Sequence, residues 1–332
     1  MTGYGKIIGH ENEIRILKKM VEEDRVSHAY LFTGDRGSGK KMLAEAFAEA
    51  LLCEKKGPEA CGECPACRKV LDRNHPDLIE LVHEKPGVIS VDEVREQVVN
   101  TVDIRPYEGG RKVYIIPEAE KMNAQAQNAL LKTIEEPPAY TVILLLTSSP
   151  EALLPTILSR CSKILVKPLK DAQVSAYLTD VMHLPDYEAR VLTAFSQGNL
   201  GQAIEAAGDE AFSERKEKVL GLVRRIHGLD TAGIIEIVRQ LKEDKDHIDG
   251  YLDLLLMWYR DVIYYKASRE VDELIFSDEF SAIRDQAATS SYEGLMDVLD
   301  GIEKCRVRLR ANVNFDLAVE LLLFTMKENT NA

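Results

Sequence analysis

Positive charge is in short supply. The 332 residues hold 42 Lys and Arg against 55 Asp and Glu, a formal net charge of -13. Affinity for nucleic acid rests largely on neutralising phosphates with Lys and Arg, so the chain is a poor stand-alone duplex binder. Contact with DNA would need a local basic patch, or a complex whose other members bring the charge. Long apolar runs are missing too. The longest, residues 141–146 and 252–258, fall far short of the ~20 residues that span a bilayer. The first thirty residues have no basic segment leading into an apolar one and read as a charged amphipathic helix. No secretory leader, no membrane partner and a cytoplasmic location are therefore expected. Internal repeats and low-complexity tracts are absent. What remains, 45% apolar and 29% charged, is the balance of a globular protein with room for two or three domains.

Strand and helix patterns alternate through the first half. Residues 28–33, 77–82, 112–116, 141–147 and 163–166 read as strands, several of them continuous apolar runs. Between them, residues 40–52 carry Ala and Leu at helical spacing. Ser90 with Glu93 forms a capping box that opens a helix over 91–102. Asn123 caps a helix over 124–135, which Pro137 and Pro138 terminate. Such alternation predicts an α/β core with a parallel, doubly wound sheet. After Pro168 the strand signal ends. Three short helices are expected at 171–181, 187–196 and 200–207, then long amphipathic ones including 248–267, 292–311 and 315–327. Boundaries fall near Leu169 and Gly208.

Gly34-Asp-Arg-Gly37-Ser-Gly39-Lys40-Lys41 fits the phosphate loop G-x-x-x-x-G-K-[ST] except at its last position. It follows a strand and opens a helix, the context that the motif requires. The glycines let backbone N–H groups curl around a phosphate at a helix N-terminus, and Lys40 would reach the terminal phosphates. The missing element is the hydroxyl: Lys41 has no lone pair to give Mg2+. A second defect follows the strand at 113–116. An Asp-Glu pair there would hold Mg2+ and polarise the attacking water, but Pro117 replaces the Asp and Glu118 alone remains. Glu118 reads equally as a residual catalytic group and as a solvated, helix-capping carboxylate. Without Mg2+, phosphoryl transfer loses its main charge neutralisation.

Cys53, Cys61, Cys64 and Cys67 are spaced C-x7-C-x2-C-x2-C, with Gly62 and Pro65 in the turns between them. Four thiolates in fifteen residues of a reducing compartment point to a closed, tetrahedral structural Zn2+ site at 53–67, ahead of buried free cysteines or a redox pair. Cys161 and Cys305 read as small core or surface residues. The aromatic content of 251–265 reads as helix packing. Arg111, Lys112 and Lys121 could touch DNA or simply be solvated.

Several segments together resemble the bacterial DNA polymerase III clamp-loader subunits, proteins of the AAA+ fold. They are Ile8-Gly9-His10, residues 27–34, the four-cysteine insertion after the phosphate-loop helix, residues 128–138 and residues 156–161. The likeness is continuous over about 7–168, weaker through the next helices, and only one of helical character and length in the last 120 residues. It implies an AAA+ core with a five-stranded parallel sheet at 1–168, a three-helix lid at 169–208 and a helical collar at 209–332 that holds a ring. It implies tau/gamma and delta subunits as partners, and the beta sliding clamp and primed DNA through the complex.

Ser159-Arg160-Cys161 matches the family's arginine finger, a guanidinium that reaches ATP held by a neighbouring subunit; the plainer reading is a surface arginine ending a helix. Active members would carry Ser or Thr at 41, Asp at 117 and a lid arginine in the stretch 198–203, where this chain has Gly201. Three elements that act in cis are lost and one that acts in trans is kept. The resemblance therefore implies a largely non-catalytic subunit of a DNA polymerase holoenzyme. Whether Gly34, Gly37, Gly39, Lys40 and Glu118 still hold ATP, without Mg2+, stays open. The competing expectations are an active tau/gamma-type ATPase and a zinc-containing DNA-binding protein outside the loader.

Overall fold

The computed structural model describes residues 3–108 and 110–329. The chain divides into two compact units. The first runs to Gln173 and includes Asn199–Gln202; the second is Val174–Gly198 with everything from Ala203 onward.

Five strands build the first unit: β1 (Ala29–Thr33), β2 (Leu78–Glu80), β3 (Lys112–Ile116), β4 (Thr141–Thr147) and β5 (Ser162–Leu165). All pair in parallel, in the order β2-β3-β4-β1-β5. Every residue of β3 and β4 is buried, as central strands covered on both faces require. Side chains alternate between the faces. Tyr30, Phe32, Val113, Ile115, Leu144 and Leu146 pack on one side with Leu17 of α1 (Glu11–Glu22) and Leu43 and Phe47 of α2 (Lys40–Leu52). α3 (Pro65–Leu71) follows the cysteine segment. Leu31, Tyr114, Ile116, Ile143 and Leu145 pack on the other side with Val94 of α4 (Val91–Val94) and Leu130 and Ile134 of α5 (Ala124–Glu135). A short α6 (Pro155–Leu158) links β4 to β5. This is the doubly wound P-loop core of the AAA+ fold that the resemblance implies.

The expected helix over 91–102 is shorter and irregular. Ser90 and Glu93 do form both arms of the capping box, yet α-geometry stops at Val94 and Arg95–Val99 is a π-helix. The wider turn keeps Val94 and Val98 buried while Gln97 clasps the backbone of Val82, accepting from its N–H at 2.9 Å and donating to its C=O at 2.7 Å. β2 is likewise shorter than 77–82. Asp77 lies just before it, fully buried, and accepts from the N–H groups of Tyr107 and Glu108.

The helices that follow are α7 (Asp171–Asp180), α8 (Asp186–Ser196), α9 (Leu200–Ala207), α10 (Glu210–Arg225), α11 (Thr231–Glu243), α12 (Ile248–Ser268), α13 (Phe280–Thr289), α14 (Tyr292–Arg310) and α15 (Phe315–Asn329). Among its described residues, every regular element of the second unit is a helix. On α12, Tyr251, Trp258 and Tyr259 are buried. Trp258 Nε1 donates to Gln286 Oε1 at 2.6 Å, and its ring lies 5.9 Å from that of Phe276. The aromatic segment is packing, as expected. Cys161 and Cys305 are both buried.

Candidate functional site

The phosphate loop joins β1 to α2. Gly37 and Gly39 sit at φ +85° and +92°, a region that side chains rarely enter, and α2 starts at Lys40. A cavity of about 360 Å3 opens beside the loop, lined by Lys40, Lys41, Pro117, Glu118, Glu120 and Ser148 among others. Lys40 is turned onto its own loop: Nζ donates to the carbonyls of Gly34 and Asp35, each at 2.7 Å. Burial holds its pKa below the usual lysine range, against the pull of Glu120 and Asp35.

The two positions that would anchor magnesium face other duties. Lys41 forms an ion pair with Glu80 at the end of β2 and lies 3.8 Å from Glu45. Pro117 follows β3 with no carboxylate to offer. Glu118 adopts the left-handed region, φ +48°, and its carboxylate meets Lys121 at 2.7 Å and His83 at 3.5 Å. The Lys121 hydrogen bond draws its pKa down, despite some desolvation. Glu118 lines the cavity, but its charge is already engaged.

Glu120 is the cavity residue that sequence reasoning missed. Its Oε1 accepts from the Ser148 N–H at 3.2 Å and from the Ser148 hydroxyl. Oε2 is buried without a hydrogen-bond partner. Burial works to raise its pKa, and the bonds from Ser148 and its surroundings outweigh that, so it stays ionised. Only its place three residues past Pro117 hinted at a role. Gly201, where an arginine would mark an active member, stands against the loop instead: its N–H donates to Gly37 O at 3.2 Å.

Arg160 lies at the other end of the sheet. The phosphate loop follows the end of β1, whereas Arg160 precedes the start of β5, and the two strands are parallel neighbours. At roughly 3.3 Å per residue the two sites are on the order of 20 Å apart. Arg160 cannot serve its own loop. Its Nη2 is 2.9 Å from Glu135 and its Nη1 donates to Thr156 O at 3.0 Å, with the side chain 39% exposed. Cys161 beside it points inward, and burial pushes its thiol up to about 11.

The four cysteines converge. The Sγ atoms of Cys53, Cys61, Cys64 and Cys67 all lie within 4.8 Å of one another, with Cys61 and Cys67 at 3.9 Å. Tetrahedral Zn–S bonds of about 2.3 Å place sulfurs roughly 3.8 Å apart, so this donor set fits the ion. Local geometry explains the convergence. Gly62 takes φ +71°, Cys64 caps α3 by accepting from Cys67 N, and Pro65 fills the first helical position. The N–H groups of Cys61, Cys64 and Cys67 each donate to another cysteine's sulfur at 3.4 Å, which favours thiolates at Cys53, Cys61 and Cys64, whereas burial pushes the Cys67 thiol up. Bonds from the backbone of Glu63 and Cys64 bring Cys61 down to about 6.

The three basic residues raised as DNA contacts are all engaged. Arg111 pairs with Asp24 at 2.7 Å. Lys112 is buried, donating to Thr101 O and Ile104 O. Lys121 holds Glu118 and Pro86 O.

Comparison with known proteins shows the family. Residues 9–170 match the family described as DNA polymerase III, delta subunit, and residues 210–328 match its C-terminal family. A DNA polymerase III subunit delta-prime of Bacillus subtilis is 32% identical over 319 residues, 95% of this chain and 95% of its own. The chain belongs to the DNA polymerase III delta-prime family. A second delta-prime, from Pseudomonas aeruginosa, is 34% identical over 310 residues and 90% of each chain. A tau/gamma subunit of Haemophilus influenzae is 39% identical, but over 181 residues only, 54% of this chain and 26% of its own. Likeness to the two delta-prime subunits covers 90–95% of this chain, and likeness to this tau/gamma subunit 54%.

Proposed function

We propose that this chain works in a clamp loader as a subunit that splits no ATP itself and supplies Arg160 to ATP bound by a neighbour. The observation that carries the reading is the placement of Arg160 at the far end of the sheet from a phosphate loop that has lost both magnesium anchors. A guanidinium offsets charge that develops on a transferred phosphoryl group, and Arg160, partly exposed beside Glu135, lies too far from its own phosphate loop to do so there. The neighbours are the tau/gamma and delta subunits, and the assembly places the beta sliding clamp on primed DNA. In the three-part division, 1–168 is the AAA+ core, 169–208 the lid and 209–332 the collar that holds the ring. Cys53, Cys61, Cys64 and Cys67 hold a structural Zn2+, with no open position for water. The ion would tie the C-terminal end of α2 to α3. An active tau/gamma-type ATPase is not favoured, because Lys41 is spent on Glu80 and Pro117 offers no ligand.

Replacing Arg160 by Ala should leave subunit assembly intact and lower hydrolysis at the adjoining tau/gamma site by about 1,000-fold or more, the range of arginine fingers. Steady-state ATP turnover of the assembled loader measures this. Unchanged turnover would remove Arg160 from the reaction.

A further inference from the structure

The loop that should cradle a phosphate is fastened to another part of its own unit. Asn199 is nearly buried; its Nδ2 donates to Arg36 O at 2.6 Å, while its Oδ1 accepts from Gln202 N at 3.1 Å. Gly201 N donates to Gly37 O at 3.2 Å. The first N–H groups of a helix have no partner within it. Those of α9 find theirs in the Asn199 side chain and in a carbonyl of the phosphate loop. The fit tolerates no side chain. A Cβ on Gly201 would come within 2.5 Å of Gly37 O and 2.7 Å of its Cα, and one on Gly37 within 2.7 Å of Asn199 Oδ1. From inside, Lys40 grips Gly34 O and Asp35 O. The carbonyls of four consecutive loop residues, 34 to 37, are thus engaged at once.

We infer that Asn199 and Gly201 are positioning residues that latch the phosphate loop shut, so that the chain excludes nucleotide by an engaged contact in addition to lacking magnesium ligands. The inference rests on the reading that this chain turns over no ATP, and adds what keeps its loop from opening. A phosphate-binding loop needs its N–H groups turned inward and free to adjust around the anion. For Lys40 to reach a phosphate it would have to release Gly34 O and Asp35 O, on a loop whose next two carbonyls are held by Asn199 and Gly201. Gly201 is then more than a lost arginine. Any side chain at this position would drive residues 199–202 off the loop, and glycine is what allows the latch to close.

The test uses the full zinc-loaded chain with Gly201→Ala, Asn199→Ala and Asn199→Asp. The last keeps the acceptor for Gln202 N and loses only the donor to Arg36 O. Two quantities are read: amide hydrogen exchange over residues 36–41, and affinity for a fluorescent ATP analogue without Mg2+. Loss of one ordinary hydrogen bond corresponds to roughly tenfold in an opening equilibrium. Loop exchange should therefore quicken by about that factor in each variant, and affinity should rise with it. Exchange at the wild-type rate, or faster exchange with wild-type affinity, would overturn the latch. Should Gly201→Ala not fold, the two Asn199 variants carry the test. Hydrolysis of MgATP by the wild-type chain alone would instead refute the non-hydrolysing reading, whatever the variants do.

Discussion

At the residue scale, single side chains decide whether a phosphate loop is a motor or a relic. Lys41 and Pro117 show this in the sequence itself, since neither can ligate a cation. Glu120 does not, because a carboxylate that turns inward between Ser148 and Lys40 leaves no pattern to read. Glu93 offers a sharper check. Hydrogen bonds from the Ser90 side chain and backbone, and from Glu84 N, bring its pKa down to about 2. A folded pKa below the unfolded one adds stability that is present above the unfolded value, near 4.5, and is lost as pH falls through the folded value. Acid should therefore weaken the fold between about pH 4.5 and pH 2. Because Glu93 is half-buried rather than enclosed, solvent screening keeps the effect small. Glu93→Gln should flatten this limb of stability against pH, and Ser90→Ala should cost about 1 kcal/mol as a lost N-cap. Urea melts at pH 3 and pH 7 read both; an acid limb unchanged in Glu93→Gln would refute the assignment.

At the element scale, legibility follows length and continuity. β3 and β4 are readable to the residue because a strand buried on both faces must be a continuous apolar run. Asn123 caps α5 where its side chain meets Ala126 N, and that signal is local. α3 and α6 are missed because seven and four residues give no helical period, although each opens on a proline. The π-turn at Arg95–Val99 is missed because its cause, the Gln97 clasp on Val82, joins segments fifteen residues apart. Leu130 on α5 is fully buried against Ile143 and Leu145 of the sheet. Leu130→Ala should cost about 2–5 kcal/mol, visible as a lower midpoint in chemical denaturation. A loss below about 0.5 kcal/mol would mean that this face of the sheet is not the core described.

At the scale of the whole molecule, the proposed reading is of a fold retained after part of its chemistry was dropped. The four cysteines fit a zinc ion that braces the segment between α2 and α3. Chelation should lower the melting temperature and release about one zinc per chain, since a closed thiolate site stabilises the folded state directly. A melt unaffected by chelator would leave the cluster without a metal. The legible half of the site was its deficits. The opposite placement of Arg160 and the phosphate loop needed the sheet order, which no local pattern contains. The most direct measurement is ATP turnover of the assembled loader carrying either Lys40→Ala or Arg160→Ala in this chain. Turnover should hold with Lys40→Ala and collapse at one site with Arg160→Ala. The reverse result, collapse with Lys40→Ala and none with Arg160→Ala, would mean that this chain burns its own nucleotide and lends nothing to its neighbour.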